Sequence, residues 1–410
     1  TAGIGIYLNN TKNPSFNWML LRDFQNYAIR GIAVSGFTLA NSTVEVAAYG
    51  SNGTSAAADE GSISFGSRAP SSLAGLTGIA SITNSTIRRG FEDSLSVFNW
   101  SGTLDLTIDN CIIRDTTGND GLVVEAHNNA DIGVDVRNSD LIANVGDHFQ
   151  ATADDSAVLD VKFGTNGANT LTGGAPGALG QSVVVSSGAF TGAVTFDISN
   201  NSINGAIDTP INVNKGGGTG TFSGRIQNNT IGTAGVANSG TMGNKDAIRA
   251  VTNGAGSYAA VISGNIIRQV SGNGIFAIVR DGSGGRLDLT ITGNTLSEPN
   301  PGVNAIRVES GATSSDDLDV CADIGGATAA LRNTVNGDWG AGIGADEMRM
   351  RHQFSALCTF RMPGLSGGTT TDVVNHLTAR NNGFPPATAS ATIAGGGSYG
   401  GGGACAQPSN

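Results

Sequence analysis

The sequence is short of charge. Asp, Glu, Lys and Arg make up only 13% of its 410 residues, about half the usual share. Lys and Arg total 22 against 33 acids, a net charge of −11. So few cations exclude a partner read through its phosphates, so no nucleic acid is expected. No run approaches the ~18 apolar residues of a spanning helix, so no membrane insertion is expected. Aromatics are 6%, which counts against a sugar cleft built on stacked rings. The four cysteines, Cys111, Cys321, Cys358 and Cys405, form no C-x-x-C pair, which argues against zinc. No secretory signal opens the chain: "TAGIGIYLNN" reads as strand and turn, as in a mature product or a piece of a longer protein.

Glycine is abundant, 62 residues, and β-branched residues recur while Glu and Lys are scarce. Few long helices are expected from such a composition. The stretches "DISNNSINGAI" (197–207) and "RIQNNTIGTAG" (225–235) are copies of one pattern. Two apolar residues stand five apart, with Asn or Gly two after the first. The pairs are Val34/Leu39, Ile82/Ile87, Ile108/Ile113, Val136/Leu141, Ile198/Ile203, Ile226/Ile231, Ile262/Ile267 and Ile291/Leu296.

Same-face residues of one strand are separated by even numbers, so an odd offset means a corner. Asn and Gly tolerate the left-handed backbone of such a corner. Corner asparagines Asn84, Asn110, Asn200 and Asn228 are therefore expected to stack coil over coil and hydrogen-bond as a ladder. The pattern recurs about every thirty residues, with "GANTL" at 167–171 as a degenerate copy. Short strands at this period, without intervening helices, predict an all-β parallel β-helix, since no coil buries its apolar face alone. An antiparallel sandwich also has short strands but needs no corner motif at fixed spacing.

Along the chain, residues 1–45 suggest opening coils and 46–80 a Gly/Ser/Ala-rich loop insertion. Residues 81–319 carry the regular coils, with smaller excursions at 172–190 and 232–245. Residues 320–410 suggest a final coil with a closing strand, "DEMRMRHQF", a short helix in "TTDVVNHLTARNNG", a cap and a Gly-rich tail.

Aligned on the strand after the corner, the coils place Asp93, Asp120, Asp147, Thr209, Asp246, Asn273 and Asn304 in one column. The four aspartates are a candidate site for Ca2+ or a groove for sugars. The competing reading is a turn in which Asp or Asn bonds its own backbone two residues on. Otherwise no cofactor is expected. A second column holds Arg88, Arg114 and Arg268. Arg114, Asp120 and Asp147 together would suit a lyase or hydrolase acting on acidic polysaccharide. Arg beside Asp is more often a surface ion pair. No catalytic residue is assigned. Cys111, inside an apolar repeat, is expected to be a small buried residue.

The segments "NYAIRGIAVSGFTLANSTV", "FEDSLSVFNWSGTLDLTIDNC", "GNDGLVVEAHNNA" and "DEMRMRHQF…RMPGL" resemble the β-helix region of large bacterial surface and secreted proteins. These are autotransporter-passenger-like, right-handed parallel β-helix repeat proteins. The resemblance covers most of the chain. It implies right-handedness, secretion, display on the cell surface and an adhesive or fibrous role, and it supplies no catalytic residues. Cys358, and "RMPGL" in place of a more regular Leu-Pro-Gly, depart from it. Cys321, Cys358 and Cys405 leave the pairing of an expected disulfide open.

The expected function is thus a non-enzymatic extracellular structural or adhesive module. Surface glycans, and end-to-end association as a fibre subunit, are the partners such a module suggests. The alternatives are a polysaccharide lyase or hydrolase, and a carbohydrate-binding adhesin without catalysis.

Overall fold

The computed structural model describes residues 3–46, 61–70, 74–173, 180–300, 303–339, 346–353, 357–382, 389–395 and 397–408. Strands come in threes. Leu95–Asn99, Thr103–Asp109 and Ile112–Arg114 form one coil; Leu122–Ala126, Asp131–Arg137 and Asp140–Ile142 form the next. Each strand pairs with its counterpart one coil away, which gives three all-parallel sheets of 13, 13 and 11 strands, here A, B and C in coil order. The fold is a parallel β-helix.

The register puts like on like. In sheet A, Leu95 faces Leu122, and Leu122 faces Phe149; in sheet B, Ile82 faces Ile108, and Ile108 faces Val136; in sheet C, Ile87 faces Ile113, and Ile113 faces Leu141. All of these are at most 1% exposed. Burying one such side chain contributes about 1.5–3 kcal/mol, and a coil gains this only when its neighbours cover it.

Between sheets B and C the chain turns through one left-handed residue. Asn84, Asn110, Asn200 and Asn228 take φ of 50–64°, and Gly264 and Gly293 occupy the same place at 67° and 66°. The odd offset of five between apolar residues arises from this residue.

Contacts divide the chain into two compact units. The first is Thr1–Ser186 with Phe190–Thr195 and Asn200–Ser202; the second is Ser187–Ala189, Phe196–Ser199 and Ile203–Asn410. In the first, Phe37 packs edge-on against Phe65 at 4.9 Å, and Phe149 lies 4.9 Å from Phe163. The stretch read as an insertion, 46–80, contains the sheet A strand Ile63–Phe65 and the start of the sheet B strand Leu76–Thr83. Its residues 47–60 and 71–73 lie outside the described residues. The excursion at 172–190 is likewise shorter than its composition suggests, because Val183–Phe190 is a strand of sheet A. Residues 174–179 are not described.

In the second unit the aromatic filling is Phe222 and Phe196 against Tyr258, at 5.7 and 6.0 Å. The strand expected to close the β-helix, Met348–His352, is not the last: Ala389–Ile393 pairs with it in sheet A, and Thr359–Arg361 and Tyr399–Gly400 extend sheet B; the α-helix is Thr370–Arg380. Thr369 and Asp372 form a reciprocal capping box at the helix start, satisfying two amides that the helix leaves open. Cys321 and Cys405 form a disulfide with Cα atoms 5.4 Å apart, while Cys358 is a free, buried thiol. The tail after Cys405 is tied down as well: Ala406 N–H donates to Asp288 at 2.9 Å and Gln407 to Thr290 at 2.8 Å. No helix among the described residues is long and apolar enough to cross a membrane.

Candidate functional site

The asparagines chosen from the sequence and those of the buried ladder are different residues. Asn110 Nδ2 donates to Asn84 Oδ1 at 2.8 Å on the exposed side of the corner. Asn200 reaches only the Gly164 carbonyl, at 3.5 Å. The ladder runs one residue later, where the chain has turned inward: Ser42, Ser85, Cys111, Ser139, Asn169, Asn201, Asn229, Asn265, Asn294, Asn333 and Asn381, all buried. Asn229 donates both its backbone N–H and its Nδ2 to Asn265 Oδ1, each at 3.0 Å, and Asn265 and Asn294 repeat this toward the next coil. Cys111 is a buried thiol in this column, with burial pushing its pKa up to about 11, so it is not a reactive thiolate.

The aspartate column forms on the other side of the coil, just before sheet A. Asp93, Asp120 and Asp147 each offer Oδ1 to the amide of the following coil: Asp120 N–H at 3.2 Å, Asp147 N–H at 2.5 Å and Gln181 N–H at 2.5 Å. Asp246 does the same for Asn273, whose N–H and Nδ2 lie at 3.0 and 2.6 Å. The sequence reading had the bond falling within the residue's own turn; it falls between coils. Burial, then the charge of the next aspartate, pushes Asp93 and Asp120 up to about 7. Burial alone raises Asp246, partly opposed by Asn273 and by Arg249 and Arg307.

In the first unit this column borders an open groove of about 520 Å³. Asp120, Asp147, Asn119, Glu125, Gln150 and Arg68 supply its polar lining. Glu125 and Gln150 project from sheet A, while Arg68 follows the strand Ile63–Phe65. Arg68 donates to Glu125 at 3.0 Å, lies 3.8 Å from Asp93, and covers the Phe98 ring at 5.1 Å. Behind Glu125, His127 bridges Glu125 and Asp154 at 3.1 and 3.3 Å and stacks on Trp100 with ring centroids 4.2 Å apart. Hydrogen bonds to the two carboxylates overcome burial and raise His127 to about 9. At neutral pH it is a charged, doubly held strut. His148, next to Asp147, goes the other way: full burial lowers it to about 4, and Asn144 is hydrogen-bonded to its Nδ1 at 2.9 Å.

The arginines singled out from the sequence do not enter this groove. Arg88 and Arg114 are in register in sheet C, but Arg88 pairs with Glu45 and Arg114 with Asp115 at 2.8 Å. Arg268, in the second unit, lies in register with Ser297. Sequence reasoning missed Arg68, Glu125, Gln150 and His127. In the second unit, Asp288, Cys321 and Cys405 place ligand-type atoms within 4.8 Å of one another. The two sulfurs are spent on the disulfide, and Asp288 accepts from Arg286 at 2.5 Å, so this trio is structural.

Comparisons with protein-family models, with curated proteins and with solved structures find no match to this chain.

Proposed function

We propose that the chain is a structural and adhesive β-helix module of a bacterial cell surface, binding hydroxyl-rich carbohydrate in the groove beside the aspartate column. The observation that carries this reading is the groove lining itself. Arg68, Asn119 and Gln150 supply donors, and Asp120, Glu125 and Asp147 supply acceptors, within one open depression of about 520 Å³. Sugar hydroxyls need both kinds at once, and rigid neighbours lower the entropy lost on binding. The Arg68–Glu125–His127–Asp154 chain provides that rigidity. A disulfide between Cys321 and Cys405 suits an oxidising, extracellular setting.

A second reading, a glycoside hydrolase, is favoured by one pairing. Asp120, raised to about 7, would hold a proton beside Asp147, as acid catalysis of glycoside cleavage requires. A glycan array run with the protein and with Arg68→Ala/Gln150→Ala tests the binding. Retention of a glycan set that the double variant loses supports the groove; equal retention removes it. Release of reducing ends from a retained glycan, lost in Asp120→Asn, would replace the adhesive reading with the hydrolytic one. Repeating the array with a chelator tests Ca2+ in the aspartate column, and binding unchanged by chelation removes that role. Sedimentation velocity over a concentration series tests end-to-end association; monomer throughout excludes the fibre.

A further inference from the structure

The outer face of sheet A in the second unit carries a different kind of surface. One outward position in successive strands reads Asn212, Arg249, Phe276, Arg307 and Arg349, each in direct register with the next. A parallel outward position adds Glu309 beside Arg351. The Arg249 and Arg307 guanidinium groups cover the Phe276 ring from the two neighbouring strands, 5.9 and 5.4 Å from its centroid. Neighbouring strands lie only about 4.8 Å apart, so Arg307 and Arg349 stand side by side with like charge.

Four arginines thus share a strip in a chain with only 22 Lys and Arg and a net charge of −11. Some of the carboxylates around them are already engaged. Glu309 accepts from Arg307 at 2.6 Å and from Arg351 at 2.7 Å. Asp246 is taken by Asn273, and Asp346 sits at the strip's border. Arg249 keeps a buried Nε with no hydrogen-bond partner among the described residues. Burial first, and then the charges of Arg351 and Arg307, pulls the Arg349 guanidinium below its usual range. A guanidinium carries five N–H donors, so arginines already paired with one carboxylate can still bind a further anion.

We propose that this strip, Arg249, Phe276, Arg307, Arg349 and Arg351, binds a linear polyanionic polysaccharide whose carboxylates or sulfates recur along its chain. The ligand would run across the strands, meeting one guanidinium after another. A single-stranded nucleic acid is the weaker match. Its bases require open aromatic faces, and two arginine guanidinium groups already lie over the Phe276 ring. The proposal stands apart from the groove of the first unit, and the two can fail separately.

The test is binding of the purified protein to immobilised polygalacturonate (carboxylated), heparin (sulfated) and uncharged dextran. The expected result is retention on one or both polyanions, none on dextran, and affinity falling by roughly tenfold or more as salt rises from ~50 to ~200 mM. Retention on polygalacturonate alone assigns carboxylate, and retention on heparin alone assigns sulfate. Arg249→Gln/Arg349→Gln should abolish retention. Arg249→Lys/Arg349→Lys should keep part of it, which separates lost charge from misfolding. Arg68→Ala in the first-unit groove should leave it intact. No retention on either polyanion, equal retention by the Gln variant, or tighter binding of a single-stranded DNA oligonucleotide would overturn the proposal.

Discussion

The same inward corner position is built in two ways. In the first unit it is mostly hydroxyl or thiol. Ser42, Ser85 and Ser139 turn their Oγ back onto their own coil, donating to the carbonyls of Ala40, Thr83 and Arg137 at 2.6–2.8 Å. Each then receives little from its neighbour: the Ser42 N–H reaches Ser85 Oγ at 3.1 Å, and the Cys111 N–H reaches Ser139 Oγ at 3.0 Å. In the second unit the position is Asn throughout. Asn265 takes two N–H donors from Asn229, gives its Nδ2 to Ile226 O at 2.9 Å and to Asn294 Oδ1 at 2.9 Å, and gives its backbone N–H to the same Oδ1 at 3.0 Å. A carboxamide is long enough, and carries both donor and acceptor, so it spans from coil to coil; a hydroxyl closes on itself. The last rung, Asn381, follows the helix Thr370–Arg380 and gives its own Nδ2 to Leu377 O at 2.9 Å, which fastens the cap to the ladder.

Breaking the Asn ladder should cost most. Asn265→Ala removes four side-chain-mediated bonds and leaves the Asn229 amide groups buried without their acceptor, at about 1–3 kcal/mol for each orphaned group. Its expected destabilisation is about 3 kcal/mol. Ser85→Ala at the matching place in the first unit should cost about 1 kcal/mol, because one inter-coil acceptor is lost. Urea denaturation of both variants checks the ratio.

The opposite corner gives a pH-dependent contrast. Asp120 has a folded pKa of about 7, above its ordinary 3.8. Its contribution to stability is therefore full below pH 3.8 and lost as pH rises through 7. Asp120→Asn keeps an oxygen for the Asp147 N–H and removes the charge. It should stabilise the protein at pH 8 by about 1–3 kcal/mol, with the difference vanishing near pH 4. His148 works the other way in the wild type. Its folded pKa of about 4 lies below 6.5, so its contribution is present above 6.5 and lost as pH falls toward 4. Asp246→Asn in the second unit should show a smaller gain than Asp120→Asn, since two donors from Asn273 already serve its Oδ1. Thermal melts at pH 4 and pH 8 read all three effects.

The smallest change should come from Cys111→Ser. The thiol sits 3.4 Å from the Ile82 and Asp109 carbonyls, where serine at the same position in neighbouring coils already bonds its own coil. Stability should stay within about 1 kcal/mol of wild type.

The sequence made the coil legible because a left-handed corner admits few residue types, and Asn84, Asn110, Asn200, Asn228, Gly264 and Gly293 all satisfy it. It misplaced the ladder because "NN" offers two adjacent amides, and the backbone turn decides which of them points inward. Where the inward residue is Ser or Cys, no amide marked the position at all. The aspartate column was legible as a column, but not its bond to the next coil, which depends on stacking register. The groove was hidden because Arg68 lies 57 residues from Glu125 in a Gly/Ser-rich stretch. The arginine strip was hidden too, because loops of unequal length separate Arg249, Arg307 and Arg349 while the strands themselves stay in register.

Residue-resolved hydrogen exchange at neutral pH tests most directly the claim that carboxamides bind coil to coil more tightly than hydroxyls. The account predicts that the amides of Asn229, Asn265, Asn294 and Asn333 exchange only through global opening, well after those of Ser42 and Cys111, which donate to serine hydroxyls. Equal protection at the two sets, or faster exchange at the asparagines, would contradict it.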